Sequence, residues 1–162
     1  MKKNTDSKQF QYPVRVFYED TDAGGVVYHS NYLNFMERAR SEWLRSLGWD
    51  IMRCQTELQV IFVVKSISLD FVSPARLADE LTVTVRLIKL GKVGLSLEQA
   101  IYNQDRLICS GLVKLATLDY QQIDSRQQDF KQQDVKKFGV KEFALKPLPS
   151  ILSSVLLSVE NC

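Results

Sequence analysis

The densest group of reactive residue types lies in one short segment near the start of the chain. It reads Glu-Asp-Thr-Asp-Ala-Gly-Gly-Val-Val-Tyr-His from Glu19 to His29 and contains the only histidine among the 162 residues. A carboxylate at a strand end and an imidazole beside a helix start can face one pocket, where backbone N–H groups at the helix start polarise a carbonyl oxygen. These residue types therefore indicate acyl transfer to water.

Each of these residues also has a purely structural interpretation. An aspartate before two glycines, such as Asp22, most often satisfies backbone donors of its own turn. Gly24 and Gly25 permit backbone conformations, or a close ligand approach, that a side chain would block. Asp20 is interpreted as capping or bracing the loop, and His29 is either a catalytic group or a hydrogen-bonded buried histidine. The residues alone leave these alternatives open.

The next segment is predicted to be an amphipathic helix that carries the reactive segment at its N-terminus. Its apolar residues recur at three- and four-residue steps, and charged residues occupy the other side. Ser30 or Asn31 can cap the start of this helix, and Gly48 can end it. The apolar stripe consists of Tyr32, Phe35, Met36, Ala39, Trp43, Leu44 and Leu47.

Strand patterns precede this helix once and follow it four times. Residues 12–18 alternate well enough for a strand, with Pro13 near its start. Residues 58–120 read as strands, with turn signals at 91–94 and 103–106. One long helix inserted after the first of five strands predicts an α+β fold, in which a five-stranded antiparallel sheet wraps around the helix.

Length and composition favour one globular domain with two flanking segments. The chain is 45% hydrophobic and 25% charged, a balance typical of globular proteins. We expect a mobile N-terminus over 1–11, the folded domain over 12–120, and a polar, glutamine-rich extension over 121–162. The extension ends in a short apolar segment, Ile151 to Val159, which is too short to span a bilayer. This segment is expected to pack on the body of the protein or on a partner.

Charge, cysteines and the N-terminus exclude several other classes of protein. The net charge of +2 is too close to balance to predict nucleic-acid binding. Cys54, Cys109 and Cys162 are an odd number without metal-ligand spacing, so neither a disulfide framework nor a metal site is predicted. No apolar signal core or membrane-length apolar segment is present in the sequence. We therefore expect a cytoplasmic protein.

The segment from Val14 to about Leu47 resembles the hotdog-fold acyl-CoA thioesterases. The Asp-Thr-Asp-Ala-Gly-Gly-Val-Val-Tyr-His run matches the motif of that family almost letter for letter. The resemblance is strongest to the 4-hydroxybenzoyl-CoA thioesterase-like group, which contains a bacterial Tol-Pal-associated thioesterase. A weaker resemblance at Phe71 to Arg76, with Asp79, extends the similarity to about residues 12–120.

The resemblance implies an enzyme that hydrolyses an acyl-CoA thioester to free acid and coenzyme A without a metal or cofactor. It implies that Asp22 is the catalytic carboxylate, which either attacks the thioester carbonyl or activates a water. His29 is implied to lie in the same site, and the amides around Tyr28 and His29 to hold the thioester oxygen. The substrate-binding residues implied by the motif are Gly24, Gly25, Val26, Val27 and Tyr28.

The expected partners follow from the substrate and from the sheet. Coenzyme A carries phosphates, and the cations near strand ends or faces that could bind them are Arg76, Lys89, Lys92 and Lys114. A five-stranded sheet around one helix leaves exposed edges, and the resemblance implies that two such sheets join in a homodimer or a dimer of dimers.

A second hypothesis belongs to a different functional class. Since a fold alone does not establish chemistry, the domain could bind acyl-CoA or acyl carrier protein as a scaffold or sensor without hydrolysing the thioester. The presence of Asp22 and His29 together favours the enzyme.

Overall fold

The computed structural model describes residues 9–121 and 145–160. The glutamine-rich stretch and most of the expected mobile N-terminus lie outside these ranges. The strands and α-helices, in chain order, are β1 (Phe10–Arg15), α1 (Asn31–Ser46), α2 (Ile51–Thr56), β2 (Val60–Phe71), β3 (Glu80–Gly91), β4 (Gly94–Asn103), β5 (Arg106–Asp119) and α3 (Ser150–Glu160). A short 3-10 helix, Tyr18–Asp20, lies between β1 and α1.

The five strands form one antiparallel sheet in the order β1-β3-β4-β5-β2. Its two tight hairpins, β3–β4 and β4–β5, lie where the turn signals predict them. Strand β1 begins two residues earlier than expected, because Phe10 is already paired with Val85 of β3. The predicted α+β architecture with a five-stranded antiparallel sheet is confirmed.

Helix α1 buries its apolar stripe as predicted and packs against β1 and β3. Phe35, Met36 and Ala39 are completely inaccessible to solvent, and the core that they form is continuous with the inward side chains of the sheet. The helix ends at Ser46, and Gly48 follows in a left-handed conformation with φ of +84°, as its position predicts. This helix fixes the position of the reactive segment at its N-terminus.

The C-terminal apolar segment forms α3 and packs on the body of the protein. Leu152 and Leu156 belong to the same core as α1, and the helix lies against β3. The chain before it is tied down by backbone bonds, from Lys146 N–H to Thr117 O at 2.9 Å and from Leu148 N–H to Lys92 O at 3.0 Å. The packed core therefore continues beyond residue 120. Within the described ranges, no helix is long and apolar enough to cross a membrane.

Strand β2 lies at one edge of the sheet and pairs only with β5 among the described strands. Helix α2 packs against this strand and was not expected from the sequence. It has only six residues, too few to show a helical period, and it is capped by Asp50, which accepts from Arg53 N–H at 2.8 Å. Among residues 9–121 and 145–160, no strand pairs with the outer edge of β2.

Candidate active site

Asp20 joins the end of the first strand to the start of α1. Its side chain is buried, and its carboxylate accepts hydrogen bonds from Phe17 N–H at 2.8 Å and from Asn31 Nδ2 at 3.3 Å. Its backbone carbonyl also accepts from Tyr28 N–H at 2.8 Å. Asp20 is thus the bracing carboxylate that the sequence suggested, and its oxygens are turned inward, away from any ligand.

Asp22 lies on the tight turn that follows, with its side chain exposed to solvent. Asp22 N–H donates to Val26 O at 2.9 Å, and Gly25 N–H donates to Asp22 O at 3.0 Å. One oxygen of its carboxylate, Oδ1, accepts from Gly24 N–H at 2.7 Å. No cation among residues 9–121 and 145–160 forms a salt bridge with this carboxylate. The turn therefore holds Asp22 by one oxygen only and leaves it open to a ligand.

The two glycines explain the shape of this turn. Gly25 has φ of +74°, a conformation that residues with a Cβ rarely adopt. A Cβ on Gly24 would lie 3.0 Å from Asp22 Oδ1, closer than ordinary packing allows. Both residues thus shape the backbone that presents the carboxylate.

The connection between β2 and β3 is bonded to the turn through backbone groups, a contact that was not predicted from the sequence. Val27 is buried and donates its N–H to Ala75 O at 2.9 Å, while Val26 forms an isolated β-bridge with Arg76. The Tyr32 hydroxyl accepts from Ala75 N–H at 3.1 Å. The motif resemblance at residues 71–76 was the only signal for this support.

The start of α1 lies beside the turn, and its capping differs from the prediction. Ser30 occupies the N-cap position with a helical backbone, and its side chain makes no capping bond. An N-cap side chain reaches the helix N–H groups from an extended backbone, so the predicted Ser30 cap is wrong. The Asn31 side chain does not cap the helix either, because it is bonded to Asp20 and to Asn34.

The amides before α1 differ in whether they are available to a ligand. Tyr28 N–H is engaged by Asp20 O, so it is not free to hold a thioester oxygen in this conformation. Among the described residues, His29 N–H has no acceptor within hydrogen-bonding distance. The His29 imidazole is exposed and lies 4.4 Å from the Tyr28 ring, measured between ring centroids. The turn before α1 therefore carries an exposed carboxylate at Asp22, and at His29 it carries an exposed imidazole and an amide without an acceptor among the described residues.

Exposed apolar side chains are unusually frequent on the segments around this turn. Exposed apolar side chains that cluster on a protein surface are typical of ligand-binding or interaction sites. By contrast, Tyr32 is buried and is a core residue. The exposed side chains on these segments are Phe17, Tyr18, Tyr28, Phe71, Val72 and Leu77.

Of the four candidate phosphate-binding cations, only Arg76 lies directly beside the turn. It is exposed and pairs with Val26, and its N–H is fixed by Asp79 Oδ2 at 2.8 Å. Lys89 and Lys92 lie at the other end of β3, by the β3–β4 hairpin. The sequence could not separate these cations, because their distances from the site depend on strand pairing.

The cysteine nearest the site is not an alternative nucleophile. Cys109 is fully buried opposite Phe71, and burial raises the pKa of its thiol to about 11. Burial likewise raises the pKa of Cys54 to about 11. A nucleophilic cysteine must be a thiolate, so both thiols are inert at neutral pH.

A family model described as the thioesterase-like superfamily matches residues 16–153, which include the turn, α1 and strands β2 to β5. The chain belongs to this thioesterase family. The match confirms the predicted class of enzyme, a thioester hydrolase, and it extends past the expected boundary at residue 120 into α3.

Bacterial relatives and a solved structure agree with the family assignment. The acyl-CoA thioesterase YbgC of Haemophilus influenzae is 42% identical over 110 residues, covering 68% of this chain and 81% of the relative. The acyl-CoA thioester hydrolase YbgC of Escherichia coli O157:H7 is 43% identical over 96 residues, covering 59% and 71% of the two chains. A 1,4-dihydroxy-2-naphthoyl-CoA thioesterase from Synechocystis has a TM-score of 0.73 at 19% identity, over 94% of this chain and 98% of that one. The hotdog fold of this thioesterase-family chain is thereby confirmed.

Proposed function

We propose that this chain hydrolyses acyl-CoA thioesters to free acid and coenzyme A. The observation that carries the proposal is the exposed Asp22 carboxylate, held by Gly24 N–H at 2.7 Å on the turn before α1. The names of the bacterial relatives support the same substrate class.

Asp22 is the proposed catalytic carboxylate. As a general base it takes a proton from water, whose oxygen attacks the thioester carbonyl carbon while the carbon–sulfur bond breaks. As a nucleophile it forms an acyl anhydride and releases the thiolate, and water then hydrolyses the anhydride. Both routes place negative charge on the carbonyl oxygen.

The start of α1 is the proposed binding place for that oxygen. His29 N–H is available to donate to it, and the positive end of the helix dipole favours the developing charge. We assign the His29 imidazole to the leaving sulfur, to which it can donate a hydrogen bond. Val26, Val27 and the two glycines shape the turn, and the exposed Tyr28 ring covers the thioester.

Arg76 is the proposed contact for a coenzyme A phosphate, because it is exposed and paired with Val26 beside the turn. The thioester arm of an acyl carrier protein ends in the same phosphopantetheine group as coenzyme A, so such a protein is a second candidate donor. An Arg76→Ala variant should raise KM for acyl-CoA with little change in kcat.

A homodimer is the proposed assembly. The outer edge of β2, which no other described strand covers, can pair with the same edge of a second copy, as edge strands commonly do. Phe71 is exposed at the end of this strand and would lie near the partner in such a pairing. Residues of the partner would then line the site of Asp22. Two such dimers could form a tetramer. Light scattering that finds an active monomer at assay concentration would contradict this assembly.

The test is thiol release from a panel of short, long and aromatic acyl-CoA substrates. Asp22→Asn preserves an oxygen for Gly24 N–H, so the turn should persist while the rate falls about 10²- to 10⁴-fold. Glu19→Gln is the matched control, because Glu19 is an exposed carboxylate on the same loop. Tight acyl-CoA binding without turnover on any substrate would favour the scaffold hypothesis.

A further inference from the structure

A cleft of about 150 Å³ lies between α1, α3 and the sheet, away from the turn of Asp22. Its apolar walls come from every one of these elements. They include Trp43 and Leu44 of α1, Leu97 of β4, Leu115 of β5 and Leu156 of α3. None of these residues belongs to the motif on which the family resemblance rests.

The polar groups of the cleft are already bonded to protein atoms. Arg40 Nη1 donates to Gln99 Oε1 at 2.8 Å, and Gln99 Nε2 donates to Met36 O at 3.0 Å. Ser41 Oγ donates to Glu37 Oε1 at 2.8 Å. Apart from Glu37, Arg40 and Ser41, the nine residues that line the cleft are aliphatic or aromatic, which suits a hydrocarbon chain.

One face of α1 runs from the helix start, next to the candidate active site, towards this cleft. Leu33, Glu37, Arg40 and Leu44 follow one another at helical spacing, so they share one face. The last three line the cleft. The helix starts at Asn31, beside Asp22 and His29, and Glu37 lies six residues further on, a rise of about 9 Å.

We propose that the cleft receives the far end of an aliphatic acyl chain and that Leu156 sets the preferred chain length. This inference rests on the proposed thioesterase function. An extended hydrocarbon advances about 1.3 Å per carbon, so about seven carbons reach from the helix start to the cleft. An apolar cavity of this size accommodates a molecule such as benzene, with about six carbons. The preferred acyl group is therefore a medium chain of about twelve to fourteen carbons.

Leu156 is suited to limit this length because its position is fixed. Its side chain is only 1% exposed, and α3 is anchored by the bond from Leu148 N–H to Lys92 O. Leu152, one turn earlier, is equally buried but does not line the cleft. These two leucines form a matched pair with similar packing and different access to the ligand.

The test measures binding of S-alkyl-CoA thioethers of increasing chain length by titration calorimetry. These compounds lack the carbonyl and cannot be hydrolysed, so the result does not depend on turnover. In the unmodified protein, Kd should fall about fourfold for each added methylene that enters the cleft. Beyond a certain chain length, the levelling point, further methylenes should no longer lower Kd. Leu156→Ala removes three carbons of side chain, so the levelling point should move about two or three carbons longer. Leu156→Phe should move it shorter.

The control is Leu152→Ala, which should leave the levelling point unchanged. The inference is overturned if both alanine variants move the levelling point equally, or if neither moves it. It is also overturned if Leu156→Ala changes only the sedimentation of the protein, because a second copy would then occupy the cleft. Chain-length-dependent binding together with no hydrolysis of any acyl-CoA would support the cleft assignment and reject the proposed catalytic function.

Discussion

Replacing Asp20 by alanine should both destabilise the fold and disable the site, although Asp20 faces away from any ligand. The substitution removes the acceptor for Phe17 N–H at 2.8 Å and for Asn31 Nδ2 at 3.3 Å. It leaves the bond from Tyr28 N–H to the backbone carbonyl in place. The substitution therefore frees Phe17 N–H, where the loop begins, and the side chain of Asn31, the first residue of α1. The rest of the loop keeps its backbone hydrogen bonds.

The magnitude follows from the two bonds. Hydrogen bonds to a charged group each contribute about 1.5–3 kcal/mol, and the longer bond to Asn31 is the weaker one. We expect the free energy of unfolding to fall by about 3 kcal/mol, which for a protein of this size lowers Tm by about 6–12 °C. A small displacement of catalytic groups costs up to about 100-fold in rate, so kcat/KM should fall about 10- to 100-fold.

The assay combines urea unfolding, followed by circular dichroism, with thiol release from acyl-CoA at one protein concentration. Asn31→Ala leaves the bond from Phe17 N–H to Asp20 in place and removes the weaker Asp20 bond together with the exposed bond from Asn34 Nδ2, so it should cost less, about 1–2 kcal/mol. Glu19→Ala is the control, because this exposed carboxylate on the same loop should cost less than about 0.5 kcal/mol. If Asp20→Ala unfolds within about 1 kcal/mol of the unmodified protein, the bracing role assigned to Asp20 is wrong.

Three further predictions concern the turn, the core and the pH dependence of stability. In Gly25→Ala, the new alanine must adopt φ of +74°, so the free energy of unfolding should fall by about 1–2 kcal/mol and kcat should fall as well. The control, Ala23→Gly, should leave kcat close to its original value. An active and equally stable Gly25→Ala variant would show that the turn tolerates a side chain. Gln99→Ala removes the side chain that bonds Arg40 Nη1 and Met36 O, so the free energy of unfolding measured with urea should fall by about 2–4 kcal/mol. If the effects of Gln99→Ala and Arg40→Ala add up in the double variant, the two side chains are not energetically coupled. Burial raises the pKa of Cys109 from 9.0 to about 11, so its contribution to stability is complete below pH 9 and is lost as the pH rises through about 11. Cys109→Ala should therefore flatten the decline of the free energy of unfolding between pH 9 and about 11. An unchanged decline would assign it to other groups.

The sequence predicted the elements whose information is local. The buried stripe of α1 follows from apolar residues at helical spacing, and its end follows from Gly48. The strands follow from alternation between turn signals, and the exposed turn that carries Asp22 follows from its paired glycines. In each case a few neighbouring residues determine which face of the chain is apolar or which backbone conformation is allowed.

Local patterns missed α2 and misjudged the capping of α1. Helix α2 is shorter than two helical turns, so no period could identify it. Ser30 has the right residue type for a cap, but its backbone is already helical, and Asn31 is drawn to Asp20 instead. Residue type alone does not reveal which of several nearby partners a polar side chain will take.

Tertiary structure alone decided which groups are open to a ligand. Asp20 and Asp22 are two residues apart and have the same carboxylate, yet one is buried against Phe17 and the other is exposed. The engagement of Tyr28 N–H and the availability of His29 N–H depend on how the loop folds back on Asp20.

The same holds for contacts between distant parts of the chain. Ala75 is hydrogen-bonded to Tyr32, 43 positions away in the sequence, and Gln99 is hydrogen-bonded to Met36, 63 positions away. Helix α3, from the C-terminal part of the chain, lines the cleft beside α1. Periodicity records which face of an element is buried, but it contains no information about which distant element covers that face. The residue types of the candidate site were therefore encoded locally, whereas the exposure of its groups, the position of Arg76 and the cleft beside α1 were determined by packing.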